Sequence, residues 1–117
     1  MLSFSAHQRY YLYTGPTDMR QQFDGLAGLV RREFSREVMS GDVFIFLNRR
    51  RDRIKLLCWD LNGFALYYKR LEAGTFELPL VRAGQNSLEL TWSDLVLLLE
   101  GIELASVKRR KRYRLRA

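Results

Sequence analysis

The sequence contains one cysteine, one histidine and no long run of apolar residues. The single cysteine, Cys58, builds no disulfide framework, which is typical of a protein kept in a reducing cytoplasm. No segment approaches the roughly 20 apolar residues of a membrane span, and the N-terminus lacks the basic-then-apolar order of a secretion signal. A chain of 117 residues with 47% hydrophobic content fits one domain with one core. We therefore expect a soluble, cytoplasmic protein without membrane contact.

The motifs of several enzyme classes are also missing. There is no GxxxxGK phosphate loop and no dinucleotide fingerprint. Metal-dependent DNA cleavage and joining needs three carboxylates around two metal ions, yet each candidate aspartate has a simple structural role in its local sequence. These candidates are Asp18 at a helix start, Asp42 and Asp52 in loops, and Asp60 before a turn. His7 and Cys58 lack the second histidine that a nucleophile pair or a zinc site requires. We expect no catalysis, no metal and no cofactor.

Acidic residues are absent from one end of the chain, where positive charge is concentrated. The net charge is +7, and residues 108–116, "KRRKRYRLR", contain seven of the twenty Lys and Arg residues. Residues 1–107 therefore carry thirteen basic against thirteen acidic residues and are formally neutral. We divide the chain into a domain of residues 1–107 and a basic tail of residues 108–117. A confined basic excess is typical of an electrostatic arm for nucleic acid, although a tail that only aids solubility has the same composition.

The N-terminal third of the sequence predicts one strand and one helix. Residues 9–15, "RYYLYTG", are rich in β-forming and aromatic residues and stop at a glycine. Apolar residues then recur at helical spacing, which predicts a helix over residues 17–35 with Thr17 or Asp18 as its cap.

The rest of the chain predicts short strands in series and a closing helix. Hairpin signals separate the β runs, which are residues 43–48, 53–60, 63–71 and 75–79, and residues 87–90 form a further candidate strand. Thr91 and Asp94 form a capping-box pattern at the start of a helix over residues 92–101. We expect an α+β fold, an antiparallel β meander of about five strands with two packed α-helices, and leave its strand order open.

An arginine-rich turn separates the first two strands of this meander. Asn48 and Asp52 can supply the turn chemistry, so that Arg49, Arg50 and Arg51 project into solvent. Arg53 and Lys55 then continue along one face of the next strand, because alternate strand residues point the same way. Guanidinium groups bind phosphate oxygens bidentately, so a phosphate backbone is a suitable partner. The alternative is a solvated loop whose charges pair with Asp52 and Asp42.

Three blocks of the sequence resemble a known family. They are "GPTDMRQQFDGLAGLV", "SGDVFIFLNRRRDRIKLLCWDLNGFALYYKRLEAGTFELP" and "LTWSDLVLLLEGIEL", and the resemblance covers residues 9–104. In this order and spacing they resemble the small TnpB accessory protein, the second open reading frame, of the bacterial insertion-sequence family numbered 66. The resemblance implies a protein encoded in a mobile element that assists a larger transposase and has no settled biochemical activity. The extended basic C-terminus and Leu61 depart from the usual pattern of the family.

Two non-catalytic functions are consistent with these observations. The first is binding of DNA, expected at the ends of the element, by a positive surface with Tyr67 or Tyr68 available to stack on unpaired bases. The residues expected in that surface are Arg49, Arg50, Arg51, Arg53, Lys55, Lys69, Arg70, Lys108, Arg109, Arg110, Lys111 and Arg112. The second is a protein adaptor that binds the transposase without contacting DNA. The basic tail favours the first, and the sequence leaves homo-oligomer formation open.

Overall fold

A computed structural model describes residues 4–78 and 84–100 of the chain. The elements are β1 (Tyr10–Pro16), α1 (Phe23–Glu33), β2 (Val43–Leu47), β3 (Arg53–Asp60), β4 (Gly63–Arg70), β5 (Ser87–Leu90) and α2 (Trp92–Glu100). The five strands form one sheet in the order β4-β3-β2-β1-β5. The predicted α+β class, with five strands and two helices, is confirmed.

One strand pair departs from the expected antiparallel meander. β2, β3 and β4 are antiparallel neighbours, as predicted, and β5 is antiparallel to β1. β1 and β2, however, pair in parallel, with Tyr10 opposite Val43. A parallel pair needs a crossover connection, and α1 supplies it. The sheet is therefore mixed, and β2 lies at its centre.

Each helix covers one face of the sheet. Leu26 and Val30 of α1 pack with Phe44 and Phe46, whereas Leu95 and Leu98 of α2 belong to the apolar cluster on the opposite face. All five residues of β2, "VFIFL", are buried because the strand is covered on both sides. A continuous apolar run is typical of such a strand.

One expected helix boundary and one expected strand are wrong. α1 begins at Phe23 rather than residue 17, and no side chain caps it at Gln22. Residues 75–78 of the expected strand 75–79 are not β-structure. Phe76 is nevertheless fully buried, and its N–H donates to the Arg51 carbonyl at 2.6 Å. Burial of Phe76, with Leu78 packed against the same apolar cluster, therefore explains the apolar pattern that indicated a strand there.

The predicted capping box of α2 is confirmed. The Asp94 N–H donates to Thr91 Oγ1 at 3.1 Å, and the Thr91 N–H donates to Asp94 Oδ2 at 3.3 Å. These reciprocal bonds satisfy backbone donors that the first helical turn leaves without partners.

Thr91→Ala is therefore expected to lower the free energy of unfolding by about 1 kcal/mol, because the Asp94 N–H loses its acceptor. Thr91→Ser, which keeps the hydroxyl, is the control. Urea denaturation of both variants measures the difference. Equal midpoints for the alanine and serine variants would show that the box contributes nothing.

Candidate nucleic-acid interface

The turn between β2 and β3 is built around the Asn48 side chain. Asn48 Oδ1 accepts the N–H groups of Asp52 and Arg53 at 3.1 and 3.0 Å, and Asn48 Nδ2 donates to Asp52 Oδ1 at 2.6 Å. The Arg51 N–H donates to the Asn48 carbonyl at 3.1 Å, which closes the turn. The expectation that Asn48 and Asp52 supply the turn chemistry is confirmed.

The same turn is held from outside by the segment that follows β4. The Leu71 N–H donates to the Asp52 carbonyl at 2.7 Å, and the Phe76 N–H donates to the Arg51 carbonyl. Arg51 itself has a φ of 59°, in the left-handed region that glycine or asparagine usually occupies. An arginine in this conformation costs about 1 kcal/mol relative to ordinary backbone. The surrounding bonds thus fix a strained arginine at the surface.

The arginines of this turn are not neutralised by neighbouring acids. Arg49, Arg50 and Arg51 are exposed. Within residues 4–78 and 84–100, none of them lies within ion-pairing distance of a carboxylate. The alternative expectation of pairing with Asp52 does not hold, because the Asp52 carboxylate binds Asn48 instead. Three cationic groups therefore face solvent on a turn that hydrogen bonds hold in place.

A second wall, which contains Arg20, stands beside the turn and was not predicted from the sequence. The segment of residues 17–22, which leads from β1 to α1, is joined to the end of β2 by a bond from the Thr17 N–H to the Leu47 carbonyl at 2.8 Å. It places Arg20 across from the turn. A groove of about 460 Å³ lies between them, lined by Thr17, Asp18, Met19, Arg20, Asn48, Arg49, Arg50 and Arg53. We call this feature the arginine groove.

Asp18 is the one carboxylate that lines the arginine groove. Its Oδ2 accepts a bond from Arg20 Nη2 at 2.6 Å, and its Oδ1 accepts the Arg20 backbone N–H at 2.9 Å. These bonds lower the pKa of Asp18 to about 2. Asp18 is therefore ionised at neutral pH and offsets the charge of Arg20, so the net charge of the groove comes from the remaining arginines.

Lys55 does not belong to the exposed surface, contrary to the sequence-based expectation. Its side chain lies on the face covered by residues 17–22 and is 1% exposed. Lys55 Nζ donates to the carbonyls of Met19 and Gln21, both at 2.8 Å. Burial lowers its pKa, an effect that nearby Asp18 partly opposes. Lys55 thus holds the second wall of the groove on the sheet instead of reaching a ligand.

The other expected site residues are dispersed. Lys69 Nζ donates to the Leu99 carbonyl at 2.9 Å and so joins β4 to the end of α2. Arg70 lies opposite Arg53 in the β3–β4 pair and forms an ion pair of 3.0 Å with Glu72. The residues expected in the tail, Lys108, Arg109, Arg110, Lys111 and Arg112, lie outside the described residues. Among the described site residues, the structure therefore brings together the arginines of the turn and Arg53 at the start of β3.

The candidate catalytic groups occupy separate positions. Asp18 binds Arg20 and Asp52 binds Asn48, whereas Asp42 and Asp60 lie near the opposite end of the sheet. His7 and Cys58 line a cavity of about 690 Å³ at that end, and burial raises the pKa of the Cys58 thiol. No three His, Cys, Asp or Glu side chains are arranged to hold a metal ion in the described part of the chain. Neither described helix is long and apolar enough to cross a membrane.

Comparison with known proteins shows which family the chain belongs to. The family described as IS66 Orf2 like protein matches residues 8–109. The chain belongs to this IS66 Orf2-like family. The matched region contains both walls of the arginine groove, and it ends inside the basic tail. The resemblance seen in the sequence is confirmed, and membership supports an accessory role in the transposition of an insertion sequence.

Two relatives come from Sinorhizobium fredii (strain NBRC 101917 / NGR234). The uncharacterized protein y4jC is 34% identical over 110 residues, which cover 94% of this chain and 92% of that protein. The uncharacterized protein y4hO is 32% identical over 103 residues, with 88% of each chain covered. No solved structure gives a significant match.

Proposed function

We propose that this member of the IS66 Orf2-like family is a non-catalytic accessory protein that binds DNA in the bacterial cytoplasm. The observation that supports this most directly is the arginine turn, where exposed guanidinium groups have no carboxylate partner in the described residues. Neighbouring charges of the same sign repel one another. This repulsion is tolerable at a surface when solvent screens the charges or an anion neutralises them. A phosphate backbone supplies regularly spaced anions that arginine binds bidentately.

The basic tail adds further positive charge to the chain. Residues 108–116 contribute seven basic residues to a chain whose other residues are formally neutral. Phosphate contacts of this kind are independent of base sequence, so they position a protein on DNA without selecting a site. The element's ends would then be recognised by the transposase, with which this protein acts.

A test of the arginine groove compares two variants of equal charge. Arg49→Ser/Arg50→Ser removes two cations from the turn, and Arg31→Ser/Arg32→Ser removes two exposed cations from the last turn of α1. We expect the first to weaken DNA binding roughly 10- to 100-fold at 0.1 M salt and the second to change it less than about threefold. Fluorescence anisotropy with several unrelated sequences measures both effects.

The outcome also separates DNA binding from adaptor function. If both variants bind DNA equally well, the arginine groove does not contact DNA. Co-purification with the transposase then tests the alternative, in which the turn binds an acidic protein surface. Loss of the transposase by Arg49→Ser/Arg50→Ser alone, with DNA affinity unchanged, would support that adaptor.

Exposed apolar side chains at the end of the sheet opposite the arginine groove favour a protein contact as a second function. Leu61 lies in the β3–β4 turn with 93% of its surface exposed, and Met39 beside the same cavity is 49% exposed. Exposed apolar side chains grouped at one site are typical of protein interfaces. DNA at the arginine groove and the transposase at this end would be compatible, because the two surfaces lie at opposite ends of β3.

Asp18→Asn is expected to increase DNA affinity. The substitution removes the carboxylate that offsets Arg20, yet the asparagine oxygen can still accept the Arg20 backbone N–H. One additional phosphate contact raises affinity roughly three- to tenfold at 0.1 M salt. Asp18→Glu, which retains the charge, is the control. An unchanged affinity for Asp18→Asn would show that Arg20 does not face DNA.

A further inference from the structure

Tyr68 is an exposed aromatic side chain joined to the arginine groove through Arg53. It lies on edge strand β4, directly opposite Lys55, and is 48% exposed. Its neighbour Tyr67 points to the other face, where it packs against the core and its ring contacts Phe4 with centroids 6.2 Å apart. Of the two tyrosines considered from the sequence, only Tyr68 presents its ring to solvent beside the basic surface.

Two cationic side chains contact Tyr68. Arg53, which lines the arginine groove, donates from Nη1 to the Tyr68 hydroxyl at 3.4 Å. Lys55 Nζ lies 4.7 Å from the ring centroid, within the range of a cation–π contact. Lys55 is in turn bound to the backbone of the second groove wall. The ring and the groove are thus parts of one connected unit.

An aromatic ring fixed beside guanidinium groups fits a nucleotide whose base is unpaired. In a duplex, neighbouring bases cover both faces of each base, so a protein ring cannot stack on it without distortion. In a single strand the bases are free to stack on aromatic side chains while arginines contact the phosphates. The same pairing of a stacking surface with a basic groove is present in this protein.

We propose that the arginine groove and Tyr68 together bind single-stranded DNA, with Tyr68 stacked on one base. This inference rests on the proposed function, because it names the form of DNA that the groove takes. Tyr68 contributes affinity through the base, whereas Arg49 and Arg50 contribute through the phosphates. The two contributions can therefore be removed separately.

The test uses the full-length protein and two oligonucleotides of equal length, an oligothymidylate and an abasic strand with the same phosphates. We expect the wild type to bind the oligothymidylate about tenfold more tightly than the abasic strand, since stacking on one base is worth about that factor. Tyr68→Ala should reduce this ratio to near one, and Tyr68→Phe, which keeps the ring, should preserve it. Binding is measured by anisotropy, and the melting temperature of each variant is measured alongside.

The inference is overturned if the ratio of oligothymidylate to abasic-strand affinity stays near ten in Tyr68→Ala. It is also overturned if this ratio is already one in the wild type. If Tyr68→Ala does not fold, Tyr68→Leu replaces it, and equal ratios for the leucine and phenylalanine variants overturn the inference in the same way.

Arg49→Ser/Arg50→Ser should weaken the binding of both oligonucleotides by the same factor and leave the ratio of their affinities unchanged. If that variant binds DNA as well as wild type, the proposed function itself fails. If it weakens binding while Tyr68→Ala leaves the ratio unchanged, only the role of Tyr68 is lost.

Discussion

Replacing Lys55 by alanine is expected to destabilise the fold by about 3 kcal/mol or more. The substitution removes the only described side-chain donor to the carbonyls of Met19 and Gln21 and opens a void beneath residues 17–22. A bond from a charged donor is worth about 1.5–3 kcal/mol, and the lost packing adds to it. Urea denaturation measures the global effect, and hydrogen exchange of the Gln21 amide measures the release of the second groove wall.

Lys55→Met separates the charge from the packing. Methionine fills most of the volume of the lysine stem and avoids the cost of burying an ammonium group, so its effect should be smaller, about 1–2 kcal/mol. An alanine variant as stable as wild type would contradict the anchoring role of Lys55. The fixed position of Arg20 would then lack its physical cause.

The lowered pKa of Lys55 sets the direction of a pH effect. Because the folded-state pKa lies below the ordinary value of 10.5, the folded protein releases this proton first as the pH rises. The unfolded chain then binds more protons, and the contribution of Lys55 favours folding increasingly up to pH 10.5. The free energy of unfolding of wild type should therefore increase relative to that of Lys55→Met as the pH rises toward 10.5. Comparing the two proteins removes the effect of tyrosine titration on stability, because both proteins have the same tyrosines.

Deleting residues 108–117 is expected to cause the largest loss of DNA affinity. The deletion removes seven basic residues and leaves a formally neutral chain. If three or four of the seven contact phosphates, affinity falls roughly 500- to 5,000-fold at 0.1 M salt. The melting temperature should change little, because the tail sequence lacks the apolar periodicity of a packed segment.

Two further variants of the tail identify the cause of the loss of DNA affinity. A tail with the same composition in scrambled order should bind as well as wild type, since phosphate contacts depend on charge. A tail of equal length with all seven basic residues replaced by serine should behave like the deletion. A truncated protein that unfolds, or that binds DNA as tightly as wild type, would show that the tail is not an electrostatic arm.

Two local signals in the sequence predicted local structure correctly, whereas the cap expected at Thr17 or Asp18 did not form. The capping box of α2 depends on Thr91 and Asp94, three residues apart, and it forms as expected. The arginine turn depends on Asn48 and Asp52, which again bond to each other. In both cases the residues that make the contact are close together in the chain, so their spacing in the sequence was enough to predict the contact.

Contacts between distant segments were not predictable in this way. Strand alternation placed Arg53 and Lys55 on one face, which is correct, but it could not show that residues 17–22 cover Lys55. The same limit applies to Arg20, whose place in the arginine groove depends on the parallel pairing of β1 with β2. A polar side chain flanked by buried residues, as Lys55 is in "RIKLL", is the one sequence signal of a buried cation with specific partners.

The salt dependence of DNA binding by wild type and Arg49→Ser/Arg50→Ser tests the central claim most directly. If both arginines contact phosphates, the slope of log affinity against log salt concentration becomes shallower by about 1.8 in the variant. Arg31→Ser/Arg32→Ser, with the same net charge, should retain the wild-type slope. An unchanged slope in Arg49→Ser/Arg50→Ser, or equal changes in both variants, would contradict phosphate binding at the arginine groove.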